Sequence, residues 1–379
     1  MFPTFFNTFL LLTTLTSATL FGQQQATLDS LKKEVSVLVY NNPELAIEKG
    51  FKLYNLSKDN ASYQISALLS IANGYAILKE HDEVFKYALK ADSIAEKNEN
   101  YTDQVRVLGF IGGQYRRLKL SGRALRYLDE AYNLTVKHPL PDSLEFIQGN
   151  ILVVKGLIKK DDLGCEYALP YFTDAVKVFE RNTDRKSVIA NLAITLNNIG
   201  DCFIELERFS EAKQSFDEAI TYALKINAIK NIASSKLGLA KLLSIESKYE
   251  AAIENLETTL NSIKNVNDAA INIKILKALS ENYKIIGNNE KFNSYTKMYL
   301  EEEQKLLEQE KKSLNKVTEE MSSENLEKRI NQKNKYTYTF LICGLILFII
   351  IVLILRNILQ KRTKIAKSKD KIQKSTKKG

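Results

Sequence analysis

The 379 residues include only 15 Gly and 5 Pro, too little turn material for a fold of many short strands, so the composition favours helices. Three cysteines, Cys165, Cys202 and Cys343, are too few and too scattered for a disulfide framework or a zinc site, and Cys343 lies in an apolar run. A Cys165–Cys202 bridge would require an extracytoplasmic compartment, and buried free thiols are the expectation. Imidazole catalysis has only His81 and His138 to draw on, and both fall in predicted inter-helix turns. No metal-ligand cluster or phosphate-binding Gly loop is present, and Asp and Glu lie where amphipathic helices carry solvated faces. These absences argue against an enzyme and call for no cofactor.

The net charge of +9 is local. From Arg356 to Gly379 there are ten Lys or Arg against the single acid Asp370, which accounts for the whole excess. A nucleic-acid-binding surface spread over the fold is therefore not expected.

Two apolar segments stand apart from the rest. Met1 to Leu28 has no charged side chain, and Phe5 to Leu12 with Leu15 to Phe21 read as the apolar part of a signal peptide over residues 1–22, ending at Gly22, with an uncleaved N-terminal anchor as the alternative. Tyr336 to Leu355 runs 20 residues without a charge. At about 1.5 Å per residue such a helix spans the hydrocarbon of a bilayer, and it is apolar on every side. Arg356, Lys361, Arg362, Lys364 and Lys367 outweigh the mixed flank before the span, so the tail 356–379 is expected in the cytoplasm and residues 23–335 outside it. The tail would also contact anionic lipid.

Between these segments a unit recurs. Its best copy has Gly200, Phe203, Ala212, Phe216 and Ala219. The same offsets give Gly112, Tyr115, Ala124, Leu128 and Ala131, and Ala72, Tyr75, Val84, Ala88 and Ala91, and Ala240, Leu243, Ala252, Leu256 and Thr259. Weaker copies start at Gly156 and Ser280, and Ala46, Gly50 and Leu53 read as the second helix of a degenerate first unit. The pattern resembles the tetratricopeptide repeat, with HEAT-like helical pairs as the runner-up. In the resembled family small residues at positions eight and twenty let two helices cross, an aromatic at eleven fills the space beside them, and residues at twenty-four and twenty-seven meet the next hairpin. The twentieth positions fall at 46, 84, 124, 168, 212, 252 and 292, which implies an all-α solenoid of about seven hairpins over 23–298. Insertions are expected around His138–Asp142 and Asp161–Cys165.

The resemblance implies a protein- or peptide-binding groove lined by first helices at positions two, five, nine, twelve and thirteen. On this chain those places include Asn73, Arg106, Arg116, Arg117, Asn197, Asp201, Lys241, Lys277, Glu281 and Lys284. Such a groove would suit an acidic peptide, with Arg116, Arg117, Arg123 and Arg126 as its densest cationic cluster. From 299 to 335 the chain becomes a highly charged helix with Leu300, Leu307, Leu314 and Met321 spaced by seven, a partial coiled-coil seam that would support a homodimer. The layout is similar to bacterial sensor proteins but ends soon after the span without a kinase or helix-turn-helix output. The expected function is a membrane-anchored adaptor, or alternatively the input part of a signalling system whose output lies elsewhere.

Overall fold

The computed structural model describes residues 25–39, 42–266 and 268–376, with helices throughout and no strand among them. The signal-peptide segment 1–22 lies outside the described residues. After α1 (residues 25–39) come α2 (Pro43–Leu56), α3 (Ala61–Leu78), α4 (His81–Lys97), α5 (Tyr101–Arg117), α6 (Ser121–Lys137), α7 (Phe146–Leu163) and α8 (Cys165–Glu180). They continue with α9 (Lys186–Glu205), α10 (Phe209–Lys225), α11 (Ile229–Ile245), α12 (Tyr249–Ser262), α13 (Ala269–Ile285) and α14 (Asn289–Thr376). Odd and even helices pair in order as seven hairpins, a tetratricopeptide-type α-solenoid. One compact unit ends at Asn315, and α14 continues into a second from Lys316.

Local chemistry repeats with the hairpins. Asn42, Asn60, Asn100 and Asp268 each accept from a backbone N–H in the first turn of the helix they precede, satisfying a donor the helix leaves open. The turn from first to second helix is the same device five times. Position fifteen is left-handed at Lys79, Lys119, Glu207, Ser247 and Gly287, with φ of 62°, 58°, 58°, 61° and 77°. The next residue donates its N–H to the carbonyl of position eleven, as from Glu80 to Tyr75 at 3.0 Å and from Arg208 to Phe203 at 2.8 Å. This closes the helix end in the manner of a Schellman cap and sets the angle at which the second helix returns. The fourth hairpin turns instead at Gly164, φ 98°.

The small residues do what the resemblance implies. Ala46, Val84, Ala124, Ala168, Ala212 and Ala252 at position twenty are all fully buried. A Cβ added to Gly112 would stand 2.6 Å from Leu128 Cγ and 3.2 Å from the Ala124 carbonyl, and one on Gly156 would stand 2.6 Å from the Phe172 ring. Position twenty-four thus fills the space its own hairpin's glycine leaves, and does not serve only the next hairpin. Phe216 does both, since a Cβ on Gly200 of its own hairpin or on Gly238 of the next would strike its ring at 2.6 or 2.3 Å.

A second regularity is an aromatic pair inside the hairpins. Tyr75, Tyr115 and Tyr283 at position eleven stack on Tyr87, Tyr127 and Tyr295 at position twenty-three, with centroids 5.5 to 5.6 Å apart. The expected insertion at His138–Asp142 is a loop carrying a short 3-10 turn, Asp142–Leu144. The other expectation is corrected: Asp161–Leu163 stay helical in α7, and the extra length lies in the loop after Glu180 and in the 20-residue α9.

Among the described residues one helix, Lys186–Glu205, is long and apolar enough to cross a membrane by length and composition, but half of it is buried inside the solenoid, where it serves as core. In the second unit the helix carries large apolar side chains that are exposed: Phe340, Leu341, Ile342, Leu345, Ile346 and Phe348, with Phe340 at 83%. The side chains of Leu314 and Met321 in the coiled-coil seam lie outside those described.

Candidate functional site: the first-helix face

Consecutive first helices pack on one another, α3 on α5, α5 on α7, α7 on α9, α9 on α11 and α11 on α13, whereas each second helix meets the first helices on either side of it. Closer spacing among first helices curves the array toward them and makes their free side the concave one.

The ten residues expected on this side fall into three groups. Arg117, Lys277, Glu281 and Lys284 are exposed, and among the described residues none forms an ion pair. Arg106, Arg116, Asp201 and Lys241 are committed to pairs. Arg106 binds Asp103 at 2.9 Å and donates to Ser66 Oγ at 3.2 Å, Arg116 reaches Asp161 at 3.1 Å, and Lys241 reaches Asp201 at 3.3 Å. Asn73 is half-buried. Asn197 is corrected: at 8% exposure it donates to the Asn231 carbonyl and accepts from Ser235 Oγ at 2.6 Å, so it ties α9 to α11 and does not line a groove. The arginine cluster is also divided, because Arg123 and Arg126 lie over the rings of Tyr115 and Tyr127 on the hairpin's own stack.

The partners of Arg116 and Lys241 lie in neighbouring hairpins. Lys160 pairs with Glu205 at 2.9 Å, one hairpin on from the Arg116–Asp161 pair and in the same register. Position twelve of one hairpin thus meets position thirteen of the next, and Asp201–Lys241 continues the ladder at position nine. These contacts join residues 40 to 45 apart in sequence, a separation at which only the repeat register could have revealed them.

Toward the array's start the face is a closed polar network. Tyr63 Oη donates to Asp29 at 2.6 Å, Ser62 donates to Asp103, and Lys32 lies over the Tyr63 ring. Burial, then the Asp29 carboxylate, pushes the Tyr63 hydroxyl up to about 12, and burial with the Arg106 charge lowers the Lys32 ammonium. At the far end, Tyr283 and Tyr295 both donate to Glu257, at 2.8 and 3.1 Å. Lys79 Nζ donates to Gln309 Oε1, so the long last helix reaches back to the turn after α3.

Cys165 and Cys202, expected as free thiols, form a disulfide with Cα atoms 5.1 Å apart, joining α8 to α9 across two hairpins. They occupy position seventeen of one unit and position ten of the next. His81 and Gln114 take the same two places two hairpins earlier, where His81 Nδ1 and Gln114 Oε1 are buried without a hydrogen-bond partner among the described residues. Burial, with repulsion from Arg117, lowers the His81 imidazole.

Comparison with known proteins places this geometry. No family model matches the chain. A curated relative, outer dynein arm-docking complex subunit 4 of Danio rerio, is 27% identical over 194 residues, half of this chain, and the match spans 36% of that protein. Among solved structures, aspartyl phosphate phosphatase F from Bacillus subtilis matches with a TM-score of 0.56 at 17% identity, over 72% of this chain and 68% of that one. A signal-transduction ATPase with a tetratricopeptide repeat sensor from Pyrococcus horikoshii matches at 0.54 and 15%, over 77% and 44%. NprR in complex with its cognate peptide NprX matches at 0.51 and 14%, over 77% and 86%. By repeat, by hairpin geometry and by these likenesses, the chain has the tetratricopeptide-type solenoid fold.

Proposed function

We propose that this protein is a non-catalytic, membrane-anchored interaction scaffold that presents its concave face on the extracytoplasmic side and binds a protein or peptide there. The observation that carries the binding half is the first-helix layer itself, a continuous face whose side chains at Arg117, Lys277, Glu281 and Lys284 are exposed and form no ion pair among the described residues. A similar fold holds a peptide in NprR. The name phosphatase borne by another similar structure stays with that protein.

Anchoring is supported by residues 336–355, whose apolar side chains at 340–342 and 345–348 point to every side of a helix. No partly exposed core helix of a water-soluble protein is apolar all round, whereas a lipid-facing one must be. The basic tail supports a cytoplasmic C-terminus in contact with anionic lipid, and the Cys165–Cys202 bridge supports an oxidising compartment for the solenoid. A homodimer through 299–335 belongs to the same reading. The alternative, a sensory input unit, is favoured by the Lys79–Gln309 contact, which links an early hairpin to the helix that leads toward the span.

Photo-crosslinking residues placed at Lys241, Lys277 and, on an outer helix, Lys177 test the binding half in intact membranes. A discrete adduct from the two inner sites and none from Lys177 is expected. Equal labelling from all three, or none from any, would refute a concave binding face.

A further inference from the structure

The cations of the concave face are unevenly available. In the middle of the array Arg116, Lys160 and Lys241 are held by Asp161, Glu205 and Asp201 of adjoining hairpins, so an incoming anion would have to break an existing pair. On α13 the situation differs. Lys274, Lys277 and Lys284 are exposed, none takes part in an ion pair among the described residues, and the helical period puts all three within one face, with Glu281 as the single acid between them; Lys284 keeps its charge exposed while lying 5.8 Å from the centroid of the Phe292 ring. Beside them the row at position thirteen changes from Arg117, Asp161 and Glu205 to Ile245 and Ile285, which are 47% and 57% exposed and occupy the same place in two helices packed on each other.

Resting on the concave binding face proposed above, we infer that its anion-reading segment is α13 with the end of α11. The ligand there is an acidic peptide segment of a partner protein, with an apolar side chain set between its carboxylates. Charge complementarity selects the acid: three exposed ammonium groups on one face, none neutralised by an ion pair among the described residues, raise the local concentration of carboxylates. Ile245 and Ile285 select the apolar side chain, because each buries further only if covered. A flat anionic membrane is disfavoured as occupant because the lysines line the inward-curving side of the array. The Arg116–Arg117 cluster, though denser in sequence, is a poorer reader, since Arg116 is already paired with Asp161.

The test uses the full chain in neutral phosphatidylcholine nanodiscs and a fluorescein-labelled peptide of alternating Glu and Leu, read by anisotropy. The K274E/K277E/K284E variant should weaken binding at least tenfold and K274R/K277R/K284R should keep it, while Arg117→Glu changes it less than twofold. Ile285→Ser should weaken it severalfold, and a Lys–Leu peptide should not bind. Matching thermal melts for these surface variants separate binding from folding. Loss of affinity from Arg117→Glu equal to that from the α13 charge reversal would overturn the assignment. So would α13-dependent binding to vesicles of phosphatidylserine without binding of the peptide. If the inner crosslinking sites capture a partner whose yield ignores the α13 variants, this inference fails and the scaffold reading stands; if no inner site captures anything, the scaffold reading itself fails.

Discussion

Glu207 and Ser247 sit at φ of 58° and 61°, where a Cβ crowds the following carbonyl. The cost is about 1 kcal/mol each, and glycine removes it. Gly287 already occupies the equivalent place in the last hairpin. Glu207→Gly and Ser247→Gly are each expected to raise unfolding stability by several tenths of a kcal/mol to about 1 kcal/mol, net of backbone entropy, in thermal melts. Asp92 makes a different case. Burial, then the Glu96 and Glu130 carboxylates, push its carboxyl up to about 6. Between about pH 4 and 6 its folded state therefore holds a proton that the unfolded chain releases; above that range the carboxylate is charged in an unfavourable place, so the site costs stability at neutral pH and the cost fades as pH falls from about 6 toward 4. Asp92→Asn should stabilise by about 1 kcal/mol at pH 7.5, after discounting for solvent screening, and by nothing measurable at pH 3.5. At this scale the sequence was partly legible. Small residues at crossings announce themselves by spacing, whereas Tyr87, Tyr127 and Tyr295 did not, because an aromatic on a helix reads equally as ordinary core until its stacking partner is placed.

Among the helical elements, the contrast between two adjacent glycines is the sharpest available. A Cβ on Gly112 meets Leu128 at 2.6 Å, and Leu128 is fully buried, while one on Gly113 meets nothing within 4 Å. Gly112→Ala should cost about 1–3 kcal/mol, and Gly113→Ala should gain about 0.5–1 kcal/mol from helix propensity; denaturant unfolding distinguishes them. Between hairpins, reducing Cys165–Cys202 should lower stability by about 2–4 kcal/mol, seen as a fall in melting temperature with reductant that a Cys202→Ser variant no longer shows. Register also predicts that His81→Cys with Gln114→Cys installs a second staple, detected as a gel shift under non-reducing conditions. Helices and their pairing were legible because position twenty recurs at nearly constant steps. The disulfide was not, since two cysteines 37 residues apart carry no pairing signal until stacking brings position seventeen beside the next position ten. Asn197 shows the same limit, for a polar residue at a groove position served as mortar between α9 and α11.

For the whole molecule, the proposed polarity joins three separate features: a solenoid stapled by a disulfide, an apolar run whose described side chains are exposed, and a tail holding the entire net charge. The ion-pair ladder adds a reason the groove is not uniformly cationic, which leaves α13 as the free end. Sidedness is the claim on which the rest depends, and thiol labelling of intact cells measures it. In a Cys343→Ser background, Lys277→Cys in the solenoid and Ser368→Cys in the tail are each exposed to a membrane-impermeant maleimide. Labelling of Lys277→Cys in intact cells, and of Ser368→Cys only after the membrane is opened, is the predicted result; the reverse pattern, or equal labelling of both, would contradict it.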